Sequence, residues 1–481
     1  MLDLLLVYPP LSINERYGRN VGNIGGHQPP LGLACLAAYV RENGFSVKII
    51  DAQAEGISTA EAVELARKYN PKVIGIGALT SIFHRAVEFA RDIKCRIPQS
   101  LIIFGGHHAS IMSEETMSNF NCFDLLCKGE GEYTLTEVLV NYKKSNFDKE
   151  IFLKNTSVLS GINGIVYRDG EKICSTAGRM LISDLDELPM PARDLLKIPK
   201  YNPMPNQYKR LPLLNITVSR GCPFGCSYCS ASSVFGRGIR MRAPDKTIEE
   251  IKFLMSEYNA KEISFWDDTI TFDKKWLSRL CSLILEQQLG ITWTCYSRVD
   301  SVTKDMLKIM KEAGCWNIFF GFESGDQNTL DLIGKKITLD QIRTVCKWCK
   351  ELGIEIRASF MIALPNETPE LAKKTIDFAV EVDPDYAQFC ITTPFPKTRL
   401  YEEAIKYGLL ENDFSKYNVW QPVFVPFGYK NRDEILKMEK LAMRRFYMRP
   451  GYIFNKIKKM NSFEDFIRYL KGFRLLLGFL K

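Results

Sequence analysis

Three thiols at a fixed spacing are the chemistry-bearing feature of this chain. They are Cys222, Cys226 and Cys229, in the stretch Ser219-Arg-Gly-Cys222-Pro-Phe-Gly-Cys226-Ser-Tyr-Cys229. Gly221, Pro223 and Gly225 make this a loop whose backbone can curl, so three sulfurs can turn inward onto one object. A structural zinc site usually takes four protein ligands in paired C-x2-C units, and no fourth Cys or His follows nearby. Cluster irons are held by Cys sulfur, and three thiolates suit a cubane [4Fe–4S] cluster with one iron left open. The plainer alternative is three free cysteines packed behind a strand.

The elements that must position this loop repeat along the chain. An apolar run before it, Leu213–Val218, reads as a strand. Glu262–Trp266, Ile291–Cys295, Asn317–Gly321, Glu355–Phe360 and Tyr386–Ile391 follow, separated by helical patterns. Such alternation over residues 206–405 predicts an incomplete (β/α)6 barrel. Parallel barrels gather chemistry at the C-terminal ends of their strands. Polar residues recur there: Asp267 and Asp268, Arg298, Glu323 and Ser324, Thr392 and Thr393. Cys346 and Cys349 form a second C-x2-C, but within a helical pattern, and read as core or surface thiols.

Residues 1–140 alternate in the same way. Short apolar runs at Leu4–Tyr8, Ser46–Ile50, Val73–Ile76, Leu101–Phe104 and Leu125–Cys127 enclose helical patterns at Leu31–Asn43 and Ser58–Tyr69. This predicts a doubly wound, Rossmann-like parallel sheet, which binds ligands beyond the C-terminal ends of its strands. Small and hydroxyl residues gather at those ends, among them Thr80, Ser81, Gly105, Gly106 and Gly129, with Glu130 beside them. Gly75-Ile-Gly77 lacks a third glycine and follows the third strand, so a dinucleotide fingerprint is weak.

Residues 141–205 read as a connector. Gly164–Cys174 is two alternating runs about Asp169-Gly170, a hairpin signal. Asp184–Arg193 is acidic and Pro-rich, more linker than core, and receives no chemistry. Residues 406–481 read as a helical end.

A length of 481 residues allows two or three domains. The composition, 46% hydrophobic and 25% charged, is that of a globular protein, and the 14 cysteines are scattered rather than framework-spaced. Met1–Pro10 lacks the basic start of a signal peptide, so the expected compartment is a reducing cytoplasm. Residues 431–481 carry thirteen Lys and Arg against five Asp and Glu, the same excess of eight as the whole chain. The rest is balanced, and nucleic-acid binding through a broad basic surface is not supported. Ser462–Lys481 mixes basic residues with Phe463, Phe466, Leu470, Phe473 and Leu477. Such a helix can lie on an anionic bilayer, a peripheral membrane contact, or pack on its own barrel. The first case would favour a lipid or isoprenoid substrate.

The cysteine spacing, with Tyr228 just before the last thiol, resembles the signature of the radical S-adenosylmethionine (radical SAM) superfamily. Gln28–Ala37, Gly105-Gly-His-His108-Ala-Ser110 and Gly129-Glu-Gly-Glu132 resemble the cobalamin-binding domain that precedes the barrel in one large branch. Phe360–Thr368, Thr393–Thr398 and Met443–Pro450 also resemble segments of that branch. The resemblance covers nearly the whole chain, and anaerobic magnesium-protoporphyrin ester cyclases share it. It implies a [4Fe–4S] cluster on Cys222, Cys226 and Cys229 and S-adenosylmethionine chelating the open iron. Glu323 and Ser324 would meet ribose or amine groups and Arg298 the methionyl carboxylate. Asp267 and Asp268 would stand where the amino group is received, and Tyr228 would lie beside this ligand. Cobalamin would lie on Thr80, Ser81, Gly105, Gly106, His108, Gly129 and Glu130.

Two departures stand out. The D-x-H-x-x-G motif of base-off cobalamin enzymes is missing after the first strand, and Asp51-Ala-Gln53, after the second, reads as a chance likeness. Glycine is usual in the family at Asn366 and Lys397, and its loss is expected to close positive-φ options and reshape the site floor. The implied mechanism is reductive cleavage of S-adenosylmethionine, hydrogen abstraction from an unactivated carbon by the 5′-deoxyadenosyl radical, and methyl transfer from methylcobalamin. The expected partners are a small-molecule substrate and an external one-electron reductant such as flavodoxin or ferredoxin. Alternatives are cyclisation, ring modification or oxidation with the same cofactors, or a non-catalytic cobalamin or iron–sulfur carrier.

Overall fold

The computed structural model describes residues 2–18, 25–460 and 463–480. Met1, Ser462 and Lys481, which bound two of the segments read above, lie outside them. Continuous apolar runs become strands covered on both faces, as parallel sheets require. The first sheet holds β1 (Leu4–Tyr8), β2 (Val47–Asp51), β3 (Val73–Gly77), β4 (Leu101–Gly105), β5 (Leu125–Cys127), β6 (Ile165–Asp169) and β7 (Lys172–Ser175), in the order β2-β1-β3-β4-β5-β6-β7. Its first five strands are parallel and β6–β7 is an antiparallel hairpin. Chain order reverses between β1 and β3, so a crevice opens at the ends of those strands. Helices such as Thr59–Tyr69, capped by a reciprocal Ser58–Glu61 box, cover its faces.

The second sheet is all parallel. It runs from β8 (Leu213–Ile216) through β11 (Glu262–Phe265), β12 (Thr292–Ser297), β13 (Cys315–Glu323) and β14 (Glu355–Ile362) to β15 (Tyr386–Ile391). β8 and β15 are its two edges, which leaves the six-stranded barrel open. The sequence reading continued the first barrel strand to Val218. The chain instead leaves β8 after Ile216 and forms β9 (Ser219–Arg220), antiparallel to β10 (Arg240–Met241). This small ribbon brackets the cysteine loop. A further ribbon, β16 (Gly408–Leu410) with β17 (Phe424–Pro426), follows the barrel.

Two expectations are corrected by packing. The segment Asp184–Arg193 is more core than linker. Leu185 and Leu188 are buried with Ile182, and Arg193 is fully buried with Nη2 2.7 Å from Glu250 Oε1. Asn366 and Lys397 adopt φ 59° and 58°, so loss of glycine has not closed the left-handed conformation there. Asn tolerates it readily, and Lys at modest cost. Cys346 and Cys349 are core thiols.

The helix Arg432–Tyr447 packs on helix Pro369–Val382 and on β15, where the Tyr447 hydroxyl accepts from Ala387 N at 3.0 Å and donates to Ala387 O at 2.8 Å. The last helix, Phe463–Leu480, packs on Arg432–Tyr447, and its Arg468 is buried with Nη1 donating to Tyr208 O at 2.7 Å. This helix packs on its own chain through one face, while Phe466, Leu470, Phe473 and Leu477 stay exposed. Among the described residues no helix is long and apolar enough to cross a membrane.

Candidate active site

The cysteine loop is shaped by contacts that only a bare backbone permits. Gly221 has φ 97°, and a Cβ there would lie 2.1 Å from Gly238 O. Cys229 N donates to Cys226 O at 3.2 Å, and Ser227 N reaches Ile333 O at 2.9 Å. Upstream, Asp267 Oδ1 accepts from Val218 N at 2.9 Å, from Ser219 N at 2.5 Å and from the Ser219 hydroxyl at 2.6 Å. Asp267 thus fixes the backbone that enters the loop, and burial pushes its carboxyl up to about 7 against these bonds. Burial, with Asp268 adding to it, also raises the thiols of Cys222 and Cys229, the latter to about 11.

Arg298 is held in place rather than free. Its Nε and Nη2 bind Asp300 at 2.9 Å each, its guanidinium lies 3.8 Å from the Phe224 ring centroid, and Nη1 is 3.5 Å from Cys226 Sγ. A cation against a sulfur inside a curled glycine loop fits an anionic sulfur-ligated cluster. Among the described residues no three His, Cys, Asp or Glu side chains group as a site for a single metal ion.

Glu323 ends β13 with φ 64°, next to a register shift against β14. Its Oε1 accepts from Lys335 Nζ at 2.8 Å and from the Tyr228 hydroxyl at 3.0 Å, and its Oε2 from Ser359 Oγ at 3.0 Å. The loop aromatic is thereby tied to the barrel strand. A Cβ at Gly321 would lie 2.2 Å from Glu323 Oε1 and 2.6 Å from Lys335 Nζ, so glycine there leaves the room this cluster needs. Ser324 turns away, its Oγ 3.3 Å from Thr375 Oγ1 and accepting from Asp326 N at 3.1 Å. The sequence reading missed Lys335, which follows Gly334 in a turn with no motif of its own.

At the ends of the first sheet, Ser81 opens on a cavity while Thr80 and His108 are buried. His108 Nδ1 is 3.2 Å from Thr80 Oγ1 and the ring stacks 3.9 Å from Phe83, with burial lowering its pKa to about 3. This is a packed neutral histidine. Gly106 (φ 91°) lies against Ala78, where a Cβ would meet backbone atoms at 3.1 Å, and Gly105 ends β4 beside it. Gly129 (φ 71°) donates its N–H to Ser110 Oγ at 2.9 Å. Glu130 faces the other sheet. Its Oε1 accepts from Arg220 Nη1 at 2.8 Å and from Arg240 Nη1 at 2.9 Å, and Oε2 takes Ile182 N at 2.7 Å.

The cavity has a volume of about 1430 Å³. Tyr8, Gln53 and Ser81 from the first sheet's strand ends line one side, and Tyr296, Phe319 and Arg357 from the barrel line another. The helices of the C-terminal end close it. Gln53 Nε2 is buried with no hydrogen-bond partner among the described residues, beside the crevice between β1 and β3. A glycine-floored crevice with a buried amide and a large cavity fits a bulky planar cofactor.

Residues 216–379 match the family model described as the radical SAM superfamily, and residues 19–139 match that of the B12 binding domain. An uncharacterized methyltransferase of Pyrococcus horikoshii is 37% identical over 464 residues, covering 96% of each chain. The chain belongs to the radical SAM superfamily. It is a cobalamin-dependent radical SAM enzyme, a class whose cofactors are a [4Fe–4S] cluster, S-adenosylmethionine and cobalamin. The anaerobic magnesium-protoporphyrin IX monomethyl ester cyclase of Rubrivivax gelatinosus is 29% identical over 461 residues, 94% of this enzyme and 80% of that one. The fold of this chain is shared with TsrM from Kitasatospora setae, solved with cobalamin and a [4Fe–4S] cluster, at TM-score 0.70, 14% identity and 99% coverage of both chains. OxsB, solved with aqua-cobalamin and S-adenosylmethionine, gives TM-score 0.72 at 19% identity over 98% of this chain and 71% of that one.

Proposed function

We propose that this radical SAM enzyme methylates an unactivated carbon of a large, mainly apolar small molecule. The observation that carries the reading is the shared cavity, which the strand ends of the B12-binding sheet and the interior of the barrel line together. When bound, the cluster and S-adenosylmethionine supply hydrogen abstraction, and cobalamin supplies a transferable methyl group. Cys222, Cys226 and Cys229 hold the cluster, and Arg298 offsets negative charge at Cys226. Glu323, oriented by Lys335 and Tyr228, receives polar hydrogens of S-adenosylmethionine, and Asp267 fixes the loop backbone instead of touching that ligand. Gln53 and Ser81 meet the corrinoid. Glu130 and Glu132 hold the two sheets in register through Arg220. A flavodoxin- or ferredoxin-type protein supplies the electron.

The long match to the cyclase supports a second reading, ring formation or oxidation without a transferred methyl group. Isotope labelling separates the two. Reduced, cofactor-loaded enzyme is incubated anaerobically with source-cell extract and S-adenosylmethionine carrying a deuterated methyl group, and products are read by mass spectrometry. A product with the label on carbon is expected. Formation of 5′-deoxyadenosine with no labelled carbon product overturns methyl transfer.

A further inference from the structure

Arg357 stands on β14 at the barrel end of the cavity and is 3% exposed. Its Nε donates to Asn317 Oδ1 at 2.7 Å, and its guanidinium lies 5.2 Å from the Phe319 ring centroid and 5.7 Å from that of Tyr296. Among the described residues no carboxylate lies within ion-pair distance of it. Two acids near it along the barrel are engaged by lysines. Above it Glu323 is held by Lys335, and below it Asp385 faces Lys456 at 3.6 Å. Glu355, two residues back on the same face of β14, makes no ion pair among the described residues, and its Oε2 is buried without a hydrogen-bond partner there.

A guanidinium cannot shed its proton, and a buried charge without a partner is costly. Here the cation lies beside two aromatic rings, and among the described residues only its Nε has a hydrogen-bond partner. Its planar fork matches carboxylate or phosphate oxygens two at a time. Tyr386, its register partner on β15, and Phe319 flank it in the cavity, with the polar Gln388 on the same face and Leu476 on the lining. We infer that Arg357 receives the anionic group, carboxylate or phosphate, of an otherwise apolar substrate seated in the barrel end of the cavity. This rests on the reading of that cavity as the substrate site.

The test measures binding of palmitate, hexadecyl phosphate and hexadecanol to cluster- and cobalamin-loaded enzyme by anaerobic equilibrium dialysis. At least one anion should bind about tenfold or more tightly than the alcohol, and the better anion identifies the group. The preference should vanish in Arg357→Met and survive in part in Arg357→Lys, with visible spectra reporting intact cofactors. Equal binding of all three probes, no binding of either anion, or a preference that survives Arg357→Met overturns the inference. The wild-type comparison decides even where a variant fails to fold. Reductive formation of 5′-deoxyadenosine by the same wild-type preparation is read separately. Its presence without anion preference removes the subsite alone, and its absence with the preference intact removes the catalytic reading alone.

Discussion

Arg220, two residues ahead of Cys222, donates Nη1 to Glu130 Oε1 at 2.8 Å, joining the entry of the cysteine loop to the C-terminal end of the first sheet. Arg240, on the partner strand of the same ribbon, binds the same carboxylate, and Arg220 Nη2 reaches Glu132 Oε1 at 2.6 Å. The thiol loop is therefore set by the first sheet as well as by its own barrel. Cofactors carried by two domains must meet at fixed geometry, and this ion-pair cluster ties together the two sheets that would carry them.

Glu130→Ala should be strongly destabilising, because removing one partner of a buried pair costs about 3–5 kcal/mol. Burial pushes the Glu130 carboxyl up, but hydrogen bonds from Arg240 and Arg220 outweigh it and hold it below its ordinary 4.5. Its contribution is thus complete above pH 4.5 and lost as pH falls through the native value. Unfolding midpoints of wild type and variant should differ most near pH 7 and converge in acid. A difference independent of pH would contradict the clamp.

Asp267 has the opposite sign. Burial raises its carboxyl to about 7 from 3.8, so the native state keeps a proton that the unfolded chain releases. Its effect on stability is neutral below pH 4, increasingly unfavourable up to about pH 7, and level beyond. Asp267→Asn keeps an oxygen acceptor for Val218 and Ser219 and removes the titration. Melting curves at pH 5, 6, 7 and 8 should show the variant gaining on wild type up to about pH 7. A constant offset would contradict this account.

Gly321→Ala tests Glu323 without touching it. The added methyl meets the far ends of two side chains, Glu323 and Lys335, so the fold should survive while the carboxylate is displaced. S-adenosylmethionine affinity should fall by about tenfold, ~1.4 kcal/mol, with cluster content unchanged. Calorimetric titration under anaerobic conditions reads it. Unchanged affinity would remove Glu323 from that site.

Much of this is legible in the sequence alone. The cysteine loop is local, since Gly221, Pro223 and Gly225 lie within four residues of a thiol, and its geometry follows from neighbours in sequence. The six barrel strands and the first sheet were readable from the alternation of apolar runs. What escaped depends on long-range pairing. Glu130 sits in a glycine-rich strand end and by sequence reads as part of a cofactor floor, but its partners lie 90 and 110 residues away. Lys335 joins Glu323 only once the turn after β13 closes. Arg357 looks like one more polar residue on a strand until the barrel curls and leaves it facing inward. Gln53 stands in a motif that follows the second strand and reads as a chance likeness, yet β2 pairs directly with β1, so its end borders the same crevice.

The central claim is that Cys222, Cys226 and Cys229 hold the cluster that starts the chemistry. The most direct measurement is iron and sulfide content after anaerobic reconstitution, in wild type and in the variant with all three changed to Ala. The account predicts [4Fe–4S] stoichiometry in the wild type, with an electron paramagnetic resonance signal that shifts when S-adenosylmethionine is added, and neither in the variant. Equal iron and sulfide in both proteins would contradict it.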